Sequence, residues 1–173
     1  MELWRELLVD ARAKRERGDI MGALACITPL RQRWPEDPQA LSFLSSELRR
    51  CGLMDEAISV IEQALKITAY EDARLWNSAG VTYLMSGDQS RAEVAFRAAL
   101  SIAPDTLSVQ RNLGIILADH QLDEALTLLY SASQDGAGDV QASITIASIL
   151  REQGLPSQSL SAAQSALVHH ERE

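Results

Sequence analysis

The sequence predicts an all-α fold of roughly ten helices, arranged as five consecutive helix–turn–helix repeats. Three observations carry this: turn signals recur at a fixed period, apolar residues between them recur at helical spacing, and prolines punctuate the joints. The turn signals are Gly18-Asp19, Gly52-Leu53, Gly87-Asp88, His120-Gln121 and Gly154-Leu155. Each is followed five residues later by a small residue, namely Ala23, Ala57, Ala92, Ala125 and Ser159, so the spacings are 34, 35, 33 and 34 residues. Unrelated segments would not keep such a period by chance.

Taken in order, the repeats fall at 4–37, 38–72, 73–106, 107–139 and 140–173, together one domain over the whole chain. The first keeps Gly18, Ala23, Ile27 and Pro35, but its first helix matches the others poorly. The second runs a stripe of Leu41, Leu44 and Leu48 before its turn, and Ala57, Ile58, Ile61, Ala64 and Leu65 after it. The third carries Trp76, Gly80, Tyr83, Ala92, Phe96 and Ala99. The fourth keeps Leu113-Gly114, Leu117, Ala125, Leu129 and Ala132, with a turn one residue short at His120. The fifth keeps Ala147, Leu150, Gly154 and Ala166, and its last helix, rich in Ser, Gln and Ala, suits a water-facing cap. Pro35 and Pro104 end the second helices of their repeats, because proline cannot continue a helix and restricts its predecessor. Acids gather where second helices begin, at Asp19, Asp55, Glu56, Asp88, Asp123 and Glu124. There they complement the helix dipole and the unpaired N–H groups, which is a structural duty rather than a catalytic one.

In the third repeat, Trp76, Ala79-Gly80, Tyr83, Ala92, Phe96, Ala99 and Pro104 stand in the register of a 34-residue motif. That pattern resembles the tetratricopeptide repeat, with Ala79 standing where the family usually has Leu. The resemblance implies a right-handed superhelix in which small residues allow the two helices of a repeat to cross closely. Gly80, Gly114, Ala147, Ala57, Ala92 and Ala125 take those small positions, while Ser45 and Ser159 depart from them. Trp76, Tyr83 and Phe96 are expected to fill the space between repeats, and stacking buries a core that no single repeat could bury alone.

Composition excludes several functions. The formal charge is −8, which argues against non-specific binding to nucleic acid or an anionic membrane. Cys26 and Cys51 stand 25 residues apart without a C-x-x-C, so no disulfide framework or zinc site is expected. No apolar run reaches membrane-spanning length, and the N-terminus carries acids where a secretory signal needs bases, so a cytoplasmic location is expected. Nucleotide-binding, metalloprotease and serine-hydrolase motifs are missing. His120 reads as a turn residue, and His169 and His170 adjoin the C-terminus. No catalytic residue, cofactor or metal is therefore assigned.

The resemblance also implies that the first helix of each repeat lines a concave groove. Carried over position by position, the lining residues hold eight of the chain's 14 arginines, against three acids. The best candidates are Arg49 and Arg50 in the second repeat, and Arg74, Asn77, Val81, Leu84 and Met85 in the third. Arg111, Asn112 and Ile115 follow in the fourth, and Ile144 and Arg151 in the fifth. Arginine pairs bidentately with carboxylates, so the expected ligand is a protein or peptide segment with apolar anchors and flanking acids. The carboxylate clamp of heat-shock co-chaperones is not matched, since only Asn112 or only Arg74 fits it in the two possible frames. The expected role is a non-enzymatic interaction scaffold. Alternatives are a dedicated chaperone or assembly factor for a secretion-system or membrane-complex substrate, and an accessory subunit of an enzyme complex. Trp4, with Leu3 and Leu7, is read as an exposed patch on the first helix that supports self-association.

Overall fold

The computed structural model describes the backbone of residues 3–134 and 140–170, and side chains over 4–133 and 140–164. Expectations placed on Leu3, Ala166, His169 and His170 concern side chains outside that range. Ten helices are seen among the described residues: α1 (Leu3–Glu16), α2 (Ile20–Arg33), α3 (Pro38–Arg50), α4 (Met54–Ile67), α5 (Ala73–Met85), α6 (Gln89–Ile102), α7 (Leu107–Leu117), α8 (Leu122–Gln134), α9 (Val140–Glu152) and α10 (Pro156–His170). They form five hairpins, each helix packing on the next within its pair. The chain divides into two compact units, Met1–Ile102 with three hairpins and Ala103–Glu173 with two.

Local chemistry sets the helix ends. Gly18, Gly52, Gly87 and Gly154 all turn the chain at φ between 74° and 86°, a left-handed conformation that glycine enters without steric cost. The fourth turn has no glycine and closes instead through the Gln121 N–H donating to the Leu117 carbonyl at 2.8 Å. Asp19, Asp37 and Asp72 cap α2, α3 and α5, each carboxylate accepting from backbone N–H groups of the first turn. Pro35 and Pro104 lie just past the ends of α2 and α6, as the pattern required. The joint between α4 and α5 lacks proline and holds the extra residue of the 35-residue spacing. Ala69 and Tyr70 take positive φ there, and the Trp76 Nε1–H donates to the Tyr70 carbonyl at 2.8 Å.

In the first unit the core runs from Ile27 and Leu30 through Leu41, Leu44, Val60, Ile61 and Leu65 to Tyr83 and Phe96. Trp76 is only half-buried, lying beside Tyr70 at the joint. The small positions work as expected. A Cβ on Gly80 would stand 2.6 Å from the Phe96 ring. Ser45 fills its small position by donating from Oγ to the Ala57 carbonyl at 2.7 Å, so the hydroxyl bonds the facing helix instead of pushing it away. Ala11, fully buried, is the small residue of the first repeat.

In the second unit, Leu129, Ala132, Ala142, Ile146, Ile149 and Leu150 form the core, with Leu107 and Leu122 packed against it. A Cβ on Gly114 would meet the Leu129 side chain at 2.7 Å. Ser159 Oγ donates to the Ala147 carbonyl at 2.7 Å, the reciprocal of the Ser45 arrangement. Leu160 and the polar residues beside it on α10 face water, as a cap should.

Candidate functional site

In the first unit α1, α3 and α5, the first helices of their pairs, pack side by side. On α3 the exposed residues are Gln39, Phe43 and Arg50, and on α5 they are Arg74, Leu84 and Met85. Val81 is half-buried, while Leu84 and Met85 one turn on are exposed, Met85 by 55%. Spacing of three and four residues places these side chains on one helical face. None belongs to the core.

The arginines of this face differ in their environments. Arg49 reaches from α3 to α5, where its guanidinium donates to Thr82 Oγ1 at 3.5 Å, and it also donates to Ser46 Oγ on its own helix at 3.4 Å. Both contacts are long, and its buried Nε has no acceptor among the described residues. Burial, then the charge of Arg50, lowers its pKa, while Glu47 pulls the other way. Asn77 on α5 carries a buried Oδ1 with no donor among the described residues. Ser42 and Ser78 approach at 3.5 Å. The α3–α5 seam is thus polar and incompletely satisfied, which is costly unless water or a ligand completes it.

Arg50 and Arg74, by contrast, are paired with carboxylates. Glu47, which the sequence reading did not single out, is buried on α3 and accepts from Arg50 at 2.7 Å and from Arg15 of α1 at 3.2 Å. Arg12 pairs with Glu16 at 3.1 Å, in the open. Arg74 is exposed and folds back on the α5 cap, 3.3 Å from Asp72. Partial burial would raise the Asp72 carboxyl, but the Arg74 side chain and the N–H groups of Arg74 and Leu75 hold it below its ordinary value.

Trp4 corrects an expectation. It is only 1% exposed, because its ring packs on Phe43 of α3 with centroids 5.2 Å apart. Leu7 beside it is half-buried, so neither Trp4 nor Leu7 is the exposed apolar group on which self-association was expected to rest. Phe43 is instead the exposed aromatic of this face. The signal for it was a bulky apolar residue among Ser42, Ser45 and Ser46.

In the second unit α7 and α9 are neighbours. Ile115 and Ile144 are exposed on them, Arg111 and Asn112 are half-buried, and Arg151 is exposed. Among the described residues no cluster of His, Cys, Asp or Glu could hold a metal ion, and no helix is long and apolar enough to cross a membrane.

Comparison with known proteins agrees with the geometry. The tetratricopeptide repeat family model matches residues 8–72 and 46–106. Among solved structures, BtubC (BKLC) from P. vanneervenii superposes with a TM-score of 0.80 at 22% identity, covering 97% of this chain and 80% of its own. A MamA fragment from Desulfovibrio magneticus RS-1 gives 0.77 at 16% identity, with coverage of 99% and 96%. YrrB, described as a TPR protein with an unusual peptide-binding site, gives 0.67 at 16% identity, with coverage of 92% and 82%. At these identities the likeness is one of fold. No curated protein sequence matches the chain.

Proposed function

Because this chain belongs to the tetratricopeptide repeat family, we propose that it is a non-catalytic interaction module whose first-helix face holds a segment of a partner protein. The observation that carries this reading is the exposure of Leu84 and Met85 on α5, beside the incompletely bonded Arg49 and Asn77. An exposed apolar strip beside a polar, cationic seam is what a peptide covers, through its side chains and its backbone amides. The peptide-binding site of YrrB, a protein of the same fold, supports the reading by analogy.

The expected ligand has apolar anchors with acids beside them. Arg49, Arg50 and Arg74 supply the positive charge in the first unit, and Arg111 and Arg151 supply it in the second, where Asn112, Ile115 and Ile144 offer further contacts. Such a surface serves a scaffold, a substrate chaperone or an enzyme accessory subunit equally well. Co-purification at fixed stoichiometry with a folded complex marks the first and third, and a rise in solubility of a disordered client marks the second.

The test is affinity purification from the native cell, comparing wild type with Leu84→Asp/Met85→Asp. Both positions are exposed, so the variant keeps its helical circular dichroism signal. Loss of the captured partner supports the proposal, and undiminished capture overturns it.

A further inference from the structure

A second feature of the first unit lies apart from the α5 strip. Between α1 and α3 is an open pocket of about 370 Å³. Trp4, Leu8 and Val9 from α1 and Phe43 from α3 form its apolar wall. Val9 is 68% exposed and Phe43 49%. Phe43 is backed by Trp4, whose burial fixes it, so the aromatic shelf is preformed and binding need not order it. The Trp4 Nε1–H is buried without an acceptor among the described residues.

Charge selects the occupant. Arg5, Arg12 and Arg50 line the pocket against a single carboxylate, Glu47. Both oxygens of Glu47 are already engaged, Oε1 by Arg50 and Oε2 by Arg15. The Arg12–Glu16 pair is water-exposed, so its bond exchanges readily for one to an incoming carboxylate. Arg5 lies over the Trp4 ring at 5.3 Å, which sets its positive charge at the mouth.

We propose that this pocket seats one bulky apolar side chain of an acidic peptide segment, with carboxylates flanking that side chain meeting Arg5, Arg12 and Arg50. The inference rests on the first-helix face being the binding surface, and it moves the main anchor from the α5 strip to the α1–α3 pocket.

The probes are three blocked nonapeptides, titrated into the full chain and followed by amide NMR shifts. One is built of Asp and Glu around a central Phe, one has Ala at the centre, and one has Lys in place of the acids. The acidic Phe peptide is expected to shift amides around Leu8 and Phe43 and to bind about tenfold more tightly than the Ala peptide. Val9→Asp, at an exposed position, weakens it about tenfold, whereas Val94→Asp, exposed on the second helix α6, leaves it unchanged. Equal binding of the Lys peptide overturns the proposal, as does an absence of shifts at millimolar peptide. Shifts confined to α5 overturn the pocket while leaving the first-helix face as the binding surface. If the partner is still captured by Leu84→Asp/Met85→Asp and no first helix shifts, both readings fall. Concentration-dependent dimerisation that Val9→Asp abolishes assigns the pocket to a second copy, and overturns the acidic peptide as its occupant.

Discussion

The Tyr83 hydroxyl of α5 donates to Glu62 Oε1 of α4 at 3.0 Å, tying the third hairpin to the second. Arg91 of α6 completes the arrangement, lying over the Tyr83 ring at 4.5 Å while bonding Asp88 at 2.5 Å. Burial, then the Glu62 hydrogen bond and charge, pushes the Tyr83 pKa up to about 12. The folded state therefore favours the protonated phenol. Its contribution is complete below the ordinary tyrosine value near 10 and is lost as pH rises through about 12. Denaturant unfolding at pH 8 and at pH 11 should show wild type losing stability at the higher pH. Tyr83→Phe should cost about 1 kcal/mol at pH 8 and lack that part of the alkaline loss.

Gly80 of α5 lies against the Phe96 ring of α6. Alanine is the better helix former by about 1 kcal/mol, but its methyl would meet three Phe96 ring atoms at 2.6 to 2.8 Å. Gly80→Ala is expected to destabilise by about 1–3 kcal/mol, because a fully buried ring has nowhere to move. Adding Phe96→Leu should recover part of the loss. A double-mutant cycle by urea unfolding checks the coupling.

Asp72 caps α5 and is stabilised in its ionised form by Arg74. A carboxyl held below its ordinary value adds stability that is complete above that value and disappears as pH falls through the folded one. Asp72→Ala should cost about 1 kcal/mol at neutral pH and nearly nothing in strong acid. Thermal unfolding at pH 7 and pH 2 measures the difference.

Glu47 joins α1 to α3 through Arg15. Glu47→Ala leaves two arginines facing each other without their shared carboxylate, and should cost about 2 kcal/mol. The loss should appear first in α1, as faster amide hydrogen exchange there than in α5 and α6.

Particular residues show how far the sequence could be read. Gly18, Gly52, Gly87 and Gly154 announced their turns, because only a left-handed turn residue explains a glycine at that period. Ser45 and Ser159 looked like flaws in the small positions, since sequence does not reveal that each hydroxyl meets the carbonyl of the facing small residue. Trp4 misled, because a large aromatic near a chain end reads as exposed until its partner Phe43 is known. The arginines were visible as a count, but the carboxylates that hold Arg15, Arg50 and Arg74 were not. Glu47 lies 32 residues from Arg15, beyond any local rule.

By itself the sequence determined the repeat period, the helical hairpins, the small crossing positions and the family. Each follows from spacing within one repeat, where backbone geometry alone decides which residues meet. Tertiary structure decided which of the arginines are held by internal carboxylates, that Trp4 is buried, and that Phe43 stands at the mouth of a pocket. Those outcomes depend on how one hairpin packs on the next, where contacts join residues more than thirty positions apart and burial selects among side chains that local patterns treat alike.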